Sequence, residues 1–271
     1  PTAPVQIGEP ITMPGTVYGV VFSPDGNTIA ASVDNDTVEL WDVSDRAHPV
    51  RRGGPLLGHS GAVRAIAYSA DGKLLASGSD DRTVRLWDVT DPNLPTPIGA
   101  PIEGFRLSAH AVDFSPDGRV LATAGDDGMV RLFDISDPAD PRAQGDPITA
   151  HLGAIWHIAV SPDGYTLATA GRDGTAKLWS IVDPAQPVPL GPPLAGSNGA
   201  VSTVAWSPDG RTLTTGSKEG MVRLWNLPPG VVAAHTQRTV VSKFGDAGDI
   251  VATGSLDSTV QLWHADGGEV S

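Results

Sequence analysis

His59, Ser77 and Asp81 are the residue types of a hydrolase triad, in which a carboxylate orients an imidazole and the imidazole takes a proton from an attacking hydroxyl. The set returns at the same spacing as His151, Thr169 and Asp173 and again as His235, Thr253 and Asp257, and six residues after each Asp comes a Trp: Trp87, Trp179 and Trp263. One active site needs one such trio. A set that recurs three times and ends on an indole is expected to be a structural hydrogen-bond relay, because buried indole, hydroxyl, imidazole and carboxylate groups each require a partner. A second group, Asp113, His110 and His157, carries the types for a central hydrolase or lyase site and stands as the alternative catalytic reading. The leading expectation assigns no catalytic residue. No paired-His helix motif, EF-hand loop or phosphate-cradling loop is present, so neither a metal nor a cofactor is expected. With 0 Cys there is no disulfide, thiolate zinc site or thiol nucleophile.

The elements that must position these residues repeat. Ser23-Pro24-Asp25-Gly26 is followed at steps of 46 by Ser69-Ala70-Asp71-Gly72, Ser115-Pro116-Asp117-Gly118, Ser161-Pro162-Asp163-Gly164 and Ser207-Pro208-Asp209-Gly210. Leu40-Trp41, Leu86-Trp87, Leu132-Phe133, Leu178-Trp179 and Leu224-Trp225 run in phase, and Leu262-Trp263 follows after 38, the shortening falling in a connecting loop. Within a repeat, alternating apolar stretches at 62–68, 74–78 and 83–87 are separated by turn residues and show no helical period. A proline-rich link at 91–95 then leads to a fourth short strand near 97–102. Four strands per repeat make one blade.

The run Gly-Ser-x-Asp-x-Thr-Val-x-Leu-Trp-Asp at 78–88, with its in-phase copies, resembles the WD-repeat (WD40) family over essentially the whole chain. The resemblance implies an all-β propeller of six four-stranded antiparallel blades in a single domain, 1–271, with repeats at about 1–46, 47–92, 93–138, 139–184, 185–230 and 231–271. Residues 1–11 match the outer-strand segment 92–102, so the N-terminal strand is expected to join the last blade and close the ring. A fragment of a seven-bladed propeller is the alternative. In this family the relay runs from His through Ser or Thr and Asp to Trp, which fits repeats two, four and six. The odd repeats depart from it, with Met13, Ala31, Asn35 and Trp41, then Phe105, Thr123, Asp127 and Phe133, then Ser197, Thr215, Glu219 and Trp225. Loss of Asp127 is therefore expected to cost less stability than loss of Asp81.

Columns that stay alike across repeats serve the scaffold, and columns that diverge are free for recognition. The column Tyr18, Arg64, His110, Trp156, Ser202 and Val240 diverges and falls at the channel mouth. The column before the relay Asp reads Asp34, Asp80, Asp126, then Arg172 and Lys218, then Leu256. Tyr, Arg and Trp are enriched in interface hot spots, and a rim acidic in one part and basic in another orients a partner. Tyr18, Arg64, His110 and Trp156, with Asp34, Asp80, Asp126, Arg172 and Lys218, are the expected partner-binding site, although Trp156 as a channel plug and Arg64 paired with a neighbouring carboxylate are the plainer reading. With 18 basic and 31 acidic side chains the net charge is −13, which repels a phosphate backbone, so the expected partner is a protein or peptide and not nucleic acid. No apolar run is long enough to span a membrane, and a cytoplasmic monomer is expected, a removed signal peptide being left open. The 46-residue period, the Asp-Pro linkers and 14 Arg against 4 Lys resemble bacterial WD-repeat arrays of the actinobacterial kind, such as those of STAND-type signalling ATPases or Ser/Thr kinases. The expected function is a non-catalytic binding scaffold or sensor, with the channel enzyme and a structural self-assembly unit as alternatives.

Overall fold

The computed structural model describes residues 6–195 and 199–227, and beyond these the backbone of the strands Thr239–Phe244, Ile250–Ser255 and Val260–His264. The chain divides into two compact units, residues 1–143 and 144–271. In the first unit, the first sheet orders Val17–Phe22, Thr28–Val33, Val38–Asp42 and Val50–Leu56; the second orders Val63–Tyr68, Leu74–Ser79, Val84–Asp88 and Thr96–Ile102. The third sheet has Ala109–Phe114, Val120–Gly125 and Met129–Asp134, with an outer strand of two residues, Arg142–Ala143. In the second unit, Ile155–Val160, Thr166–Gly171, Ala176–Ser180 and the short Val188–Pro189 form one sheet. Val201–Trp206, Thr212–Ser217 and Val222–Asn226 form the next, and the last three strands form a three-stranded sheet. All pairings within these sheets are antiparallel, as hairpin connections require.

The turns follow from their residues. At Ser23-Pro24-Asp25-Gly26 the Gly26 N–H donates to the Ser23 carbonyl at 2.8 Å, and the Ser23 Oγ accepts from the Thr28 N–H at 2.9 Å while donating to Asp25. Gly26 closes the turn at φ 71°, the left-handed region that glycine enters without steric cost. The same bonds recur at Ser69, Ser115, Ser161 and Ser207.

Successive sheets pack face to face within each unit. Ala30, Val38 and Leu40 of the first sheet bury Val63, Ile66 and Leu75 of the second. Ala76, Val84 and Leu86 then meet Ala109, Val112 and Phe114 of the third, and in the second unit Ala168, Ala176 and Leu178 meet Val201, Val204 and Leu213. Each such side chain contributes roughly 1.5–3 kcal/mol by leaving water. The first sheet has no sheet before it in its unit, so Val20 is 55% exposed where Ile66 and Val112 are each 7%. Residues 6–16 form no strand, and the sheet of the last repeat has three strands, so the expected closing strand is not among the strands described.

Every first strand carries one irregularity, at its rim end. The pairing passes from Val17↔Val33 to Gly19↔Ser32, from Val63↔Ser79 to Ala65↔Gly78, and from Ala109↔Gly125 to Ala111↔Ala124. The other three do the same, from Ile155↔Gly171 to His157↔Ala170, from Val201↔Ser217 to Thr203↔Gly216, and from Thr239↔Ser255 to Val241↔Gly254. The residue left without a partner in the ladder is Tyr18, Arg64, His110, Trp156, Ser202 and Val240 in turn. A β-bulge of this kind re-aims its side chain and ends regular pairing.

Candidate functional site

The second repeat places its relay as the residue types demand. Trp87 Nε1–H donates to Ser77 Oγ at 2.8 Å, His59 Nε2 lies 2.8 Å from the same Oγ, and His59 Nδ1 lies 2.8 Å from Asp81 Oδ2. Asp81 also accepts from the Ser60 N–H at 3.0 Å and from Thr83 Oγ1 at 2.7 Å, tying the loop before the first strand to the hairpin after the second. The fourth repeat repeats this with His151 Nε2 at 2.7 Å from Thr169 Oγ1, Nδ1 at 3.0 Å from Asp173, and Trp179 Nε1 donating to Thr169 at 3.2 Å. Ser77 with His59 and Asp81 matches a catalytic triad in connectivity. Burial decides against chemistry: Ser77 and Thr169 are both 0% exposed, and each hydroxyl is held by an indole where a substrate carbonyl would have to lie. Of the sixth-repeat set, His235 and Asp257 lie outside the described residues, and Thr253 and Trp263 are described in backbone alone, in adjacent paired strands.

Burial favours a neutral imidazole in the relays of the second and fourth repeats. Burial pushes His59 and His151 below their ordinary value of 6.5, against the opposing pull of Asp81 and Asp173. Burial alone would raise the Asp81 carboxyl, but hydrogen bonds from Thr83, Ser60 and His59 outweigh it and hold it below 3.8; Asp173 is lowered in the same manner by His151 and Thr175. Asp81 and Asp173 are thus carboxylates accepting from Nδ1–H, and Nε2 accepts from the hydroxyl, which leaves every polar atom of the relay occupied.

The odd repeats show what happens without the imidazole. In the first, Ala31 supplies no oxygen, and the buried Trp41 Nε1 has no hydrogen-bond partner among the described residues. In the fifth, Trp225 Nε1 donates to Thr215 Oγ1 at 3.0 Å, while Ser197 lies outside the described residues. The third gives Asp127, whose loss is expected to cost less than that of Asp81, a buried partner of its own. Asp127 accepts from Arg131 Nη2 at 2.7 Å, both side chains are buried, and the guanidinium lies 4.6 Å from the centre of the Phe105 ring that replaces the histidine. An arginine has taken over the joining of loop to hairpin. The signal was present in the column Glu39, Arg85, Arg131, Lys177 and Arg223, whose members are charged inside an otherwise apolar strand.

At the rim of the first unit the expected residues come together. Arg64 donates to Asp80 Oδ2 through Nε at 2.9 Å and Nη2 at 2.5 Å, and its guanidinium lies 4.0 Å from the centre of the Tyr18 ring. The hydrogen bond to Asp80 raises Arg64 further above its ordinary value. His110 Nε2 stands 3.6 Å from Asp80 Oδ1 and 3.6 Å from Asp126 Oδ2, so it sits between two carboxylates. Asp34 accepts from the Thr16 N–H at 2.9 Å. Arg64 is therefore engaged within the protein, the plainer of its two expected roles, while Tyr18 remains 44% exposed. A half-exposed pair of this kind is worth about 0.2–1 kcal/mol and chiefly fixes orientation.

At the rim of the second unit, Lys218 Nζ lies 4.0 Å from the centre of the Trp156 ring, a cation–π contact worth roughly 0.5–1 kcal/mol at an exposed site. Arg172 is exposed, its backbone N–H held by the Ala154 carbonyl at 2.8 Å. His157 faces an open side of its strand, yet the protein around it pushes its imidazole below 6.5, opposed by a hydrogen bond with the Val204 backbone. Asp113 receives the Phe114 N–H at 2.9 Å.

Among the described residues no group of three His, Cys, Asp or Glu is placed to hold a metal ion, and no helix is long and apolar enough to cross a membrane. A cavity of about 460 Å³ in the first unit lies away from the rim, lined by Ile7, Ile11, Phe22, Ile29 and Val43 with Glu9 and Arg46 at its polar margin. Its lining is chiefly apolar and holds no Ser, Thr, His or Lys.

The model of the family described as WD domain, G-beta repeat matches the chain at residues 9–42, 51–88, 103–134, 145–180, 191–226 and 228–264. No curated protein sequence is similar enough to the chain to count as a relative.

Proposed function

Because the chain belongs to the WD40-repeat family, we propose that it is a non-catalytic module that binds a protein or peptide through its rim. The observation that carries this reading is the bulge repeated in all six sheets at the column Tyr18, Arg64, His110, Trp156, Ser202 and Val240. A scaffold that needed only regular pairing would fill that position with one residue type. Here the bulged position holds an aromatic, a cation, an imidazole and a second aromatic, the chemistry of recognition. Asp34, Asp80, Asp126, Arg172 and Lys218 flank it on the neighbouring hairpins. The reading is tested by changing Arg64, His110 and Trp156 together to Ala: binding to partners from the source cells is lost while thermal unfolding stays cooperative. Unchanged capture by the folded variant overturns it.

The finer fold reading is also a proposal. Six blades close into a ring when the N-terminal segment serves as the fourth strand of the last sheet. The support is that Gly8 repeats the outer-strand glycines. Gly8 has φ 66°, and a β-carbon there would meet the Ala47 carbonyl, as one on Gly53 would meet that of Asn93 and one on Gly99 that of Ala139. Placement of the module in a bacterial signalling protein rests on the 46-residue period, the Asp-Pro linkers and the excess of Arg over Lys.

A further inference from the structure

The two rims differ in whether their charges are already spent. In the first unit Arg64 is taken by Asp80, and His110 lies between Asp80 and Asp126. In the second unit Arg172 and Lys218 have, among the described residues, no carboxylate within ion-pair distance. The carboxylate beside Arg172, that of Asp173, is committed to His151, Thr175 and the Leu152 N–H. Glu219 follows Lys218 in sequence, and Lys177 donates to the Ala150 carbonyl from the same repeat.

Between these cations stands apolar surface. Leu152 is 88% exposed at a column that holds Ser60 and Arg106 in the preceding repeats. The Arg172 stem lies along Gly153, its Cβ and Cδ 3.8 and 3.9 Å from the site a β-carbon on that glycine would take, so Leu152 and Arg172 adjoin. Trp156 lies four residues after Leu152, on the first strand that this loop enters, and carries Lys218 from the next repeat over its ring. An exposed leucine, an indole and two cations without carboxylate partners make a patch whose charge is opposite to the chain's net −13. Two cations on so acidic a chain do not hold a nucleic acid.

We infer that the patch Leu152, Trp156, Arg172 and Lys218 binds an acidic segment of another protein, one in which Asp or Glu residues flank an apolar side chain. The inference rests on the rim reading above and names its partner's chemistry. The apolar side chain covers Leu152 and the free edge of the Trp156 ring, and carboxylates neutralise Arg172 and Lys218. Complementary charge of this kind sets register and discriminates against wrong partners.

The test is selection of random twelve-residue peptides, displayed without phosphorylation, against the full chain. Enriched peptides are expected to carry Asp or Glu around Leu, Ile or Phe. A synthetic copy is expected to bind the parent, to lose affinity at least about tenfold with R172A/K218A, and to weaken as salt rises from about 50 to about 300 mM. R172E/K218E is expected to bind the same peptide with Lys in place of its acidic residues, a reversal that a folding defect does not produce. Enriched peptides that are basic and lost with Asp126→Ala overturn the acidic-segment inference and leave the rim reading standing. Peptides indifferent to every rim substitution overturn both, and absence of any enrichment counts against the inference.

Discussion

Asp127 and Asp81 occupy one column yet hold different partners, and the partner sets the cost of removing each. Asp127→Ala strands the buried Arg131 guanidinium, and breaking a buried ion pair from one side costs about 3–5 kcal/mol. Asp127→Ala is therefore expected to lower the melting temperature at least as much as Asp81→Ala, and a loss clearly smaller in thermal melts contradicts the assignment. Ala31→Ser works in the other direction. It supplies the oxygen that Ser77 gives to Trp87, satisfies Trp41 Nε1, and is expected to stabilise by about 1 kcal/mol in denaturant titration. No change in the unfolding midpoint shows that Trp41 finds its acceptor elsewhere. The relays also set an acid limb. His59 and His151 are lowered in the fold, so below pH 6.5 the unfolded chain binds more protons than the folded one and stability falls as pH drops. Asp81 and Asp173 are lowered below 3.8, so their contribution is intact above that value and is lost only at more acid pH. Melting temperature is expected to fall in two stages between about pH 7.5 and about pH 2.5, the first reduced in His59→Asn with His151→Asn. A flat profile down to about pH 4.5 excludes neutral buried imidazoles.

The strands and their turns were legible in the sequence, because alternation, Ser-Pro-Asp-Gly corners and in-phase Leu-Trp pairs all point to one answer. The even-repeat relays at His59 and His151 were legible for the same reason. The outer strands were less so: Pro138, Pro141 and Pro147 lack the N–H a ladder needs, and the outer strand Arg142–Ala143 of the third sheet has two residues where Thr96–Ile102 of the second has seven. The bulge at Tyr18 and its equivalents left no trace in residue type, since a diverging column looks the same whether paired or bulged. The role of Arg131 was hidden because spacing does not reveal which side chain fills the place of a missing imidazole. One hairpin offers a test of how far local geometry is optimised. Gly128, Gly174 and Gly220 stand at φ 72°, 83° and 76°, while Arg82 at the same position holds φ 67°. Arg82→Gly relieves roughly 1–2 kcal/mol of left-handed strain and loses roughly 0.5–1 in chain entropy, so a gain of a few tenths to about 1 kcal/mol is expected in chemical denaturation. Destabilisation instead means that the Arg82 side chain makes a contact outweighing the strain.

At the scale of the molecule, the proposed function divides one repeated unit between two tasks carried by separate columns. Apolar strand faces make successive sheets adhere, as Val84 and Leu86 do against Val112 and Phe114, and the relays tie loop, hairpin and strands within one sheet. The bulged column lies outside that apolar core and meets the neighbouring sheet through rim contacts such as Arg64 on Tyr18 and Lys218 on Trp156, and its residue types vary from repeat to repeat. Site-specific photo-crosslinking tests this division most directly. Benzoylphenylalanine is placed in turn at His110, at Trp156 and at Tyr165, an exposed residue beside the turn at the other end of its sheet, and each protein is irradiated in extract of the source cells. The account predicts crosslinks to the same partner from His110 and Trp156 and none from Tyr165. Crosslinks from Tyr165 alone, or from none of the three, contradict it.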